Sequence, residues 1–132
     1  MKNSITFNLI VFMFLFSISC KAQIQPDATS LNQKILGSWI PEGSNFDNRL
    51  VFNNDGSAEK FSDGQLYINY TWSINKELVN GVPFNTLILD EVGNSETTNR
   101  YEINTLKDNL LILVFQRPSG GISGLNKYFK QE

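Results

Sequence analysis

Leu66-Tyr67-Ile68-Asn69-Tyr70-Thr71-Trp72-Ser73-Ile74 decides the fold. Leu66, Ile68, Tyr70, Trp72 and Ile74 alternate with Tyr67, Asn69, Thr71 and Ser73. Successive side chains of a β-strand point to opposite faces, so this alternation describes a strand with one apolar face and one polar face. Such a strand suits an antiparallel sheet covered on one side only, whereas a parallel βαβ arrangement needs long amphipathic helices between its strands. The sequence offers none.

Turn signals on either side of this strand divide the chain regularly. Ser62-Asp63-Gly64-Gln65 separates it from Ser57–Phe61, and Asn53-Asn54-Asp55-Gly56 separates that strand from Arg49–Phe52; in both a glycine supplies positive φ. Downstream, Asn80-Gly81-Val82-Pro83 leads into Phe84–Glu91, and a polar connection spans Gly93–Thr98. Leu106-Lys107-Asp108-Asn109 then joins Arg100–Thr105 to Leu110–Gln116, and Pro118–Gly124 precedes Leu125–Lys130. With Ile35–Ile40 as the first, eight strands follow one another through short connections, which predicts an all-β, eight-stranded antiparallel up-and-down barrel. Closure removes the unpaired edges that invite aggregation. Ser30 as N-cap, followed by Leu31, Ile35 and Leu36, predicts a short N-terminal helix. Leu110–Phe115 is apolar on both faces, and the helix is expected to cover its outer side.

Upstream of the helix the pattern is that of an address. Lys2 precedes an apolar run of about twelve residues, Ile5–Phe16, followed by Ser17-Ile18-Ser19-Cys20, which gives a charged segment, an apolar segment and small residues near a cut. The run is shorter than the ~20 residues of a membrane span. Residues 1–19 are expected to be a signal peptide, 20–30 a linker and 31–132 the folded domain. Ser17-Ile18-Ser19-Cys20 resembles the lipobox of bacterial lipoproteins, which implies acylation of Cys20 and a lipid anchor in the envelope of a Gram-negative bacterium, at the outer membrane or facing the periplasm. The competing reading is cleavage after Ala22 at Cys20-Lys21-Ala22, giving a soluble periplasmic or secreted protein.

Composition narrows the chemistry. The chain has 132 residues, a net charge of −2, one Cys and no His. About 110 residues remain after the targeting segment, enough for one core. The scattered, nearly balanced charges give no footprint for nucleic acid. Without His, and with a single Cys, the commonest metal ligands and general bases are missing, so no metal, no cofactor and no enzymatic activity are expected. Asp90 and Glu91 are adjacent on a strand and point to opposite faces. Asn53–Gly56 lacks the acidic spacing of a calcium loop. The Gly-rich Ser119–Gly124 segment lacks the Lys and helix of a phosphate cradle. Ser73 near Lys76 is too solvated for a Ser-Lys pair, and the sequon Asn69-Tyr70-Thr71 lies in mid-strand.

Ile35-Leu36-Gly37-Ser38-Trp39 resembles the Gly-x-Trp opening of lipocalins and of small bacterial lipocalin-like lipoproteins. Leu50–Ser57, Tyr70–Ile74, Tyr101-Glu102-Ile103 and Leu110–Leu113 extend the resemblance over most of the domain. It implies a barrel-end plug built from Gly37 and Trp39 with Arg117 packed over the indole, and a use in binding a small hydrophobic ligand. Tyr70, Trp72, Tyr101 and Phe115 are the candidate ligand contacts, with Phe46 in the first long loop capping the mouth. The second functional reading is a non-catalytic interaction protein of the cell envelope, with a filled barrel and an apolar stripe near Leu110–Val114 for a protein partner.

Overall fold

A computed structural model describes residues 28–117 and 119–132. The expected signal segment, Cys20 and most of the expected linker lie outside the described residues. Helix α1 (Ala28–Ile35) leads into β1 (Gly37–Pro41), β2 (Arg49–Phe52), β3 (Ser57–Ser62), β4 (Gln65–Val79), β5 (Val82–Glu91), β6 (Thr98–Leu106), β7 (Leu110–Gln116) and β8 (Ile122–Lys130). Each strand pairs antiparallel with its neighbours in sequence, and β1 pairs with β8 through Trp39↔Lys130, Ile40↔Phe129 and Pro41↔Tyr128, closing the barrel. The eight-stranded up-and-down barrel expected from the alternation is therefore the fold.

Closure depends on stagger. β4 runs for 15 residues because its first part, Gln65–Thr71, pairs with β3, while Tyr70–Val79 pairs with β5. That offset between the two flanks of one strand is the shear that lets a twisted sheet meet itself. Irregularities in register at Lys60/Phe61, Ile103/Thr105 and Val114/Phe115 add local bend. Two hairpins have two-residue turns with both residues at positive φ, Asp63-Gly64 (51° and 76°) and Asn80-Gly81 (52° and 78°). This is the turn whose twist matches that of the flanking strands, and Asp-Gly and Asn-Gly are the dipeptides that adopt it most readily. Asp55 serves the β2–β3 turn, accepting from the Ser57 backbone N–H at 2.9 Å and its hydroxyl at 2.6 Å. The hydrogen bonds from Ser57, foremost that of its side chain, hold the Asp55 carboxyl below the usual range.

The core gathers Trp39, Leu50, Phe52, Ala58, Tyr70, Ile74, Leu87, Leu89, Leu111 and Leu113 from the strands with Leu31 and Ile35 from α1. Leu31 and Ile35 stand one helical turn apart on the same face, so an eight-residue helix of ~12 Å closes one end of the barrel with two side chains. This corrects three expectations. Ser30 lies inside the helix, which begins two residues earlier at Ala28. Ile35 ends the helix instead of starting β1, because Gly37 at φ 110° turns the chain between the two elements. The helix packs chiefly against β4 and β6 with Leu31 and Ile35 turned into the core, and not over the outer side of β7. There Leu110, Ile112 and Val114 are half-buried beside an exposed Leu125 and Phe129.

Candidate functional site

Trp39 is fully buried, and its indole N–H donates to the Ile35 carbonyl at 2.6 Å. An indole in a core needs an acceptor for its N–H, and a helix C-terminus has spare carbonyls. One contact thus seals the barrel end and satisfies both groups. The cation over this indole is Lys130, whose Nζ lies 5.2 Å from the ring centroid and donates to the Lys34 carbonyl at 3.2 Å. Arg117 is exposed and lines a groove on the outer wall, so the plug is Gly37, Trp39 and Lys130, not Arg117. Pairing of β1 with β8 places the last strand residue against Trp39, whereas β7 ends at the opposite rim.

At the other end the barrel opens into a cup of about 480 Å³. Tyr70, Leu89, Tyr101, Tyr128 and Leu50 form its wall, while Pro41, Ser44, Asn48, Arg49, Lys60, Phe61, Ser62 and Tyr67 form its mouth. The β1–β2 loop is fastened across that mouth. Gly64 N–H donates to the Asp47 carbonyl at 3.0 Å, Asp63 N–H to Asn48 Oδ1 at 3.3 Å, and Asn48 Nδ2 to Asn45 Oδ1 at 3.2 Å. Arg49 stands between loop and strand, its guanidinium carbon 4.4 Å from the Phe46 ring centroid and 3.8 Å from that of Phe61. Burial is the main reason the phenols of Tyr70 and Tyr128 are pushed up to about 12, and that of Tyr101 also upward, so all three stay neutral and able to donate.

The candidate ligand contacts separate by position. Tyr70 and Tyr101 meet in the cup. Phe115 packs against Tyr101 with ring centroids 5.4 Å apart but does not line the cup. Trp72 belongs to the opposite half of β4, where it meets the Phe52 ring edge-on at 5.5 Å and donates its indole N–H to the Asn53 carbonyl at 3.1 Å. Phe46 sits at the rim, 47% exposed, stacked on Arg49 and not closed over the opening. Tyr128, Leu89, Arg49 and Lys60 are cup residues that the alternation pattern alone did not single out. The signal for Tyr128 was its place in the closing strand, readable only once β1 and β8 are known to pair.

A second hollow, about 690 Å³, lies on the outer wall between the β4–β5 hairpin, β6 and the β7–β8 connection. Two of its four charged residues are engaged with each other, since Arg100 pairs with Glu77, whose Oε2 also accepts from the buried Thr86 hydroxyl at 3.0 Å; Glu102 and Arg117 form no ion pair among the described residues. Among the described residues no group of His, Cys, Asp and Glu side chains is placed to hold a metal ion, and no helix is long and apolar enough to cross a membrane. Comparison with known proteins finds no matching family model, no matching curated protein and no matching solved structure.

Proposed function

We propose that this chain is a binding protein of the cell envelope, exported and tethered through an acylated Cys20, which holds a small, largely apolar molecule in the cup opposite Trp39 and acts without catalysis. The supporting observation is the cup itself. A packed barrel has its interior filled by side chains, but here about 480 Å³ stays open behind a mouth, within the range of roughly 300–1,000 Å³ usual for small-molecule sites. Titration of the purified protein with the neutral fluorophore N-phenylnaphthylamine tests the reading. Saturable binding with one site per chain is expected, and a Leu89→Trp variant, which fills the cup wall, should weaken it. Folded wild-type protein that gives no saturable signal removes the reading.

A second reading draws on the outer wall, where Leu125 is 70% exposed beside Phe129, Leu110, Ile112 and Val114. Exposed apolar residues gathered on one face mark interaction surfaces. On this reading the barrel is a carrier whose β7–β8 face meets a protein partner. Loss of a co-purifying partner from a Leu125→Lys, Phe129→Lys variant that keeps fluorophore binding is its test.

A further inference from the structure

We propose that the cup selects a compact aromatic anion in preference to an aliphatic chain or a neutral ring system; this rests on the reading of the cup as a binding site. Charge is the first observation. The chain carries a net −2, yet the cup lining includes Arg49 and Lys60 and no Asp or Glu. Among the described residues the ion pairs are Arg100 with Glu77 and Lys127 with Glu42, so both cup cations lack a carboxylate partner. Arg49 is also held in place. Two rings lie against its guanidinium, and the one hydrogen bond its side chain makes among the described residues, to the Phe46 carbonyl at 3.3 Å, occupies one of its five N–H donors. A cation fixed by stacking, lacking an acid and bordering a cavity is preorganised for an anion.

Oxygen chemistry is the second observation. The hydroxyls of Tyr70, Tyr101 and Tyr128 make no hydrogen bond to any described residue, and none of them is sealed away inside the protein. An alkyl chain drawn into the cup would strip water from these hydroxyls and offer nothing in return, which is unfavourable for each. A ring bearing a carboxylate or other oxygens accepts from them. The lining of wall and mouth points the same way, because Phe61, Tyr67, Tyr70, Tyr101 and Tyr128 present five rings against the aliphatic Pro41, Leu50 and Leu89. Rings pack on rings through offset faces and edges, and the volume suits one or two fused rings.

The experiment is competition against N-phenylnaphthylamine bound to the purified protein, using naphthoate, naphthylmethanol and decanoate. Naphthoate is expected to bind about tenfold tighter than either competitor at low salt, as one charge-assisted contact allows. That advantage should shrink as salt is raised, since the mouth is open to solvent. An Arg49→Gln, Lys60→Gln variant should weaken naphthoate far more than naphthylmethanol, and Tyr70→Phe, Tyr101→Phe should do the same to a lesser degree. Equal affinity for naphthoate and naphthylmethanol in the wild-type protein overturns the anion preference, and decanoate binding as tightly as naphthoate overturns the aromatic one. Either result leaves fluorophore binding in place, whereas absence of that binding removes the reading of the cup itself, so the two failures are told apart.

Discussion

The indole N–H of Trp39 and the carbonyl oxygen of Ile35, four residues apart, stand 2.6 Å from each other at the closed end of the barrel, both within fully buried residues. Helix, first strand and core therefore meet at one side chain. Trp39→Ala should destabilise the fold by about 3–5 kcal/mol through loss of packing. Trp39→Phe should cost less, about 1–3 kcal/mol, chiefly by leaving the Ile35 carbonyl without its donor. Urea unfolding gives both values; a Trp39→Phe variant as stable as wild type would show that the hydrogen bond contributes nothing.

The same position shows how far sequence reasoning reaches. The Asp63-Gly64 and Asn80-Gly81 turns and the Leu66–Ile74 alternation were legible because each is a local rule, positive φ or a two-residue periodicity, acting within a few residues, whereas Gly37-Ser38-Trp39 stood out only through a family resemblance. The lower half of the β4–β5 hairpin was not. Lys76 and Glu77 interrupt the alternation, and Pro83 sits in the strand opposite Leu78, where a proline argues against a strand assignment. Likewise Arg49, Lys60 and Tyr128 meet Tyr70 at the cup only through the shear of the closed sheet, a long-range property that no short stretch encodes. Trp72 alternates in phase with Tyr70 yet serves the opposite half of the barrel, since phase fixes a face but not a height.

Gly37 adds a steric test. Its φ is 110°, and a Cβ there would stand 3.2 Å from Lys130 Cε, whereas Gly56, at φ 84°, faces open space. Gly56→Ala should cost about 1–2 kcal/mol from backbone strain alone. Gly37→Ala should cost about 2–3 kcal/mol, because the Lys130 side chain beside the Trp39 ring must also give by a few tenths of an ångström. In a Lys130→Ala background the two glycine substitutions should become nearly equal, as a double-mutant comparison of unfolding midpoints will show.

The cup tyrosines give the protein an alkaline limit. Burial pushes the Tyr70 and Tyr128 phenols up to about 12 in the folded chain, against 10 for a free phenol. Between those values the unfolded chain releases protons that the folded chain retains, so stability is full below about pH 10 and is lost as pH rises through about 12. The urea midpoint is expected to fall across this window, with tyrosinate absorbance appearing together with unfolding. Tyr70→Phe and Tyr128→Phe should each flatten the fall; an unchanged slope in both would mean that these phenols do not carry it.

The β1–β2 loop should open when its fastening to the β3–β4 turn is cut. Asn48 accepts from the Asp63 N–H and donates to Asn45, so Asn48→Ala removes two contacts of an exposed loop at little cost to global stability, about 1 kcal/mol or less. Hydrogen exchange of the Gly43–Asn48 amides and of Asp63 should quicken while the β5–β7 amides keep their protection. Uniform quickening through the barrel would instead mean that the loop helps to hold the fold together.

On the outer wall, Glu77 joins two residues of unequal burial. Its carboxylate pairs with Arg100 through one oxygen and accepts from the fully buried Thr86 hydroxyl at 3.0 Å through the other. The Arg100 and Glu77 side chains are 40% and 30% exposed, so the ion pair should contribute no more than about 1 kcal/mol. A buried hydroxyl left without a partner costs about 1–3 kcal/mol, which makes the Thr86 contact the larger part. Glu77→Ala is therefore expected to destabilise more than Arg100→Ala. In a Thr86→Val background, where no hydroxyl remains to be orphaned, the cost of Glu77→Ala should fall to that of the ion pair alone. If the full cost persists in that background, the carboxylate stabilises the hairpin through Arg100, and the ranking of the two contacts is reversed.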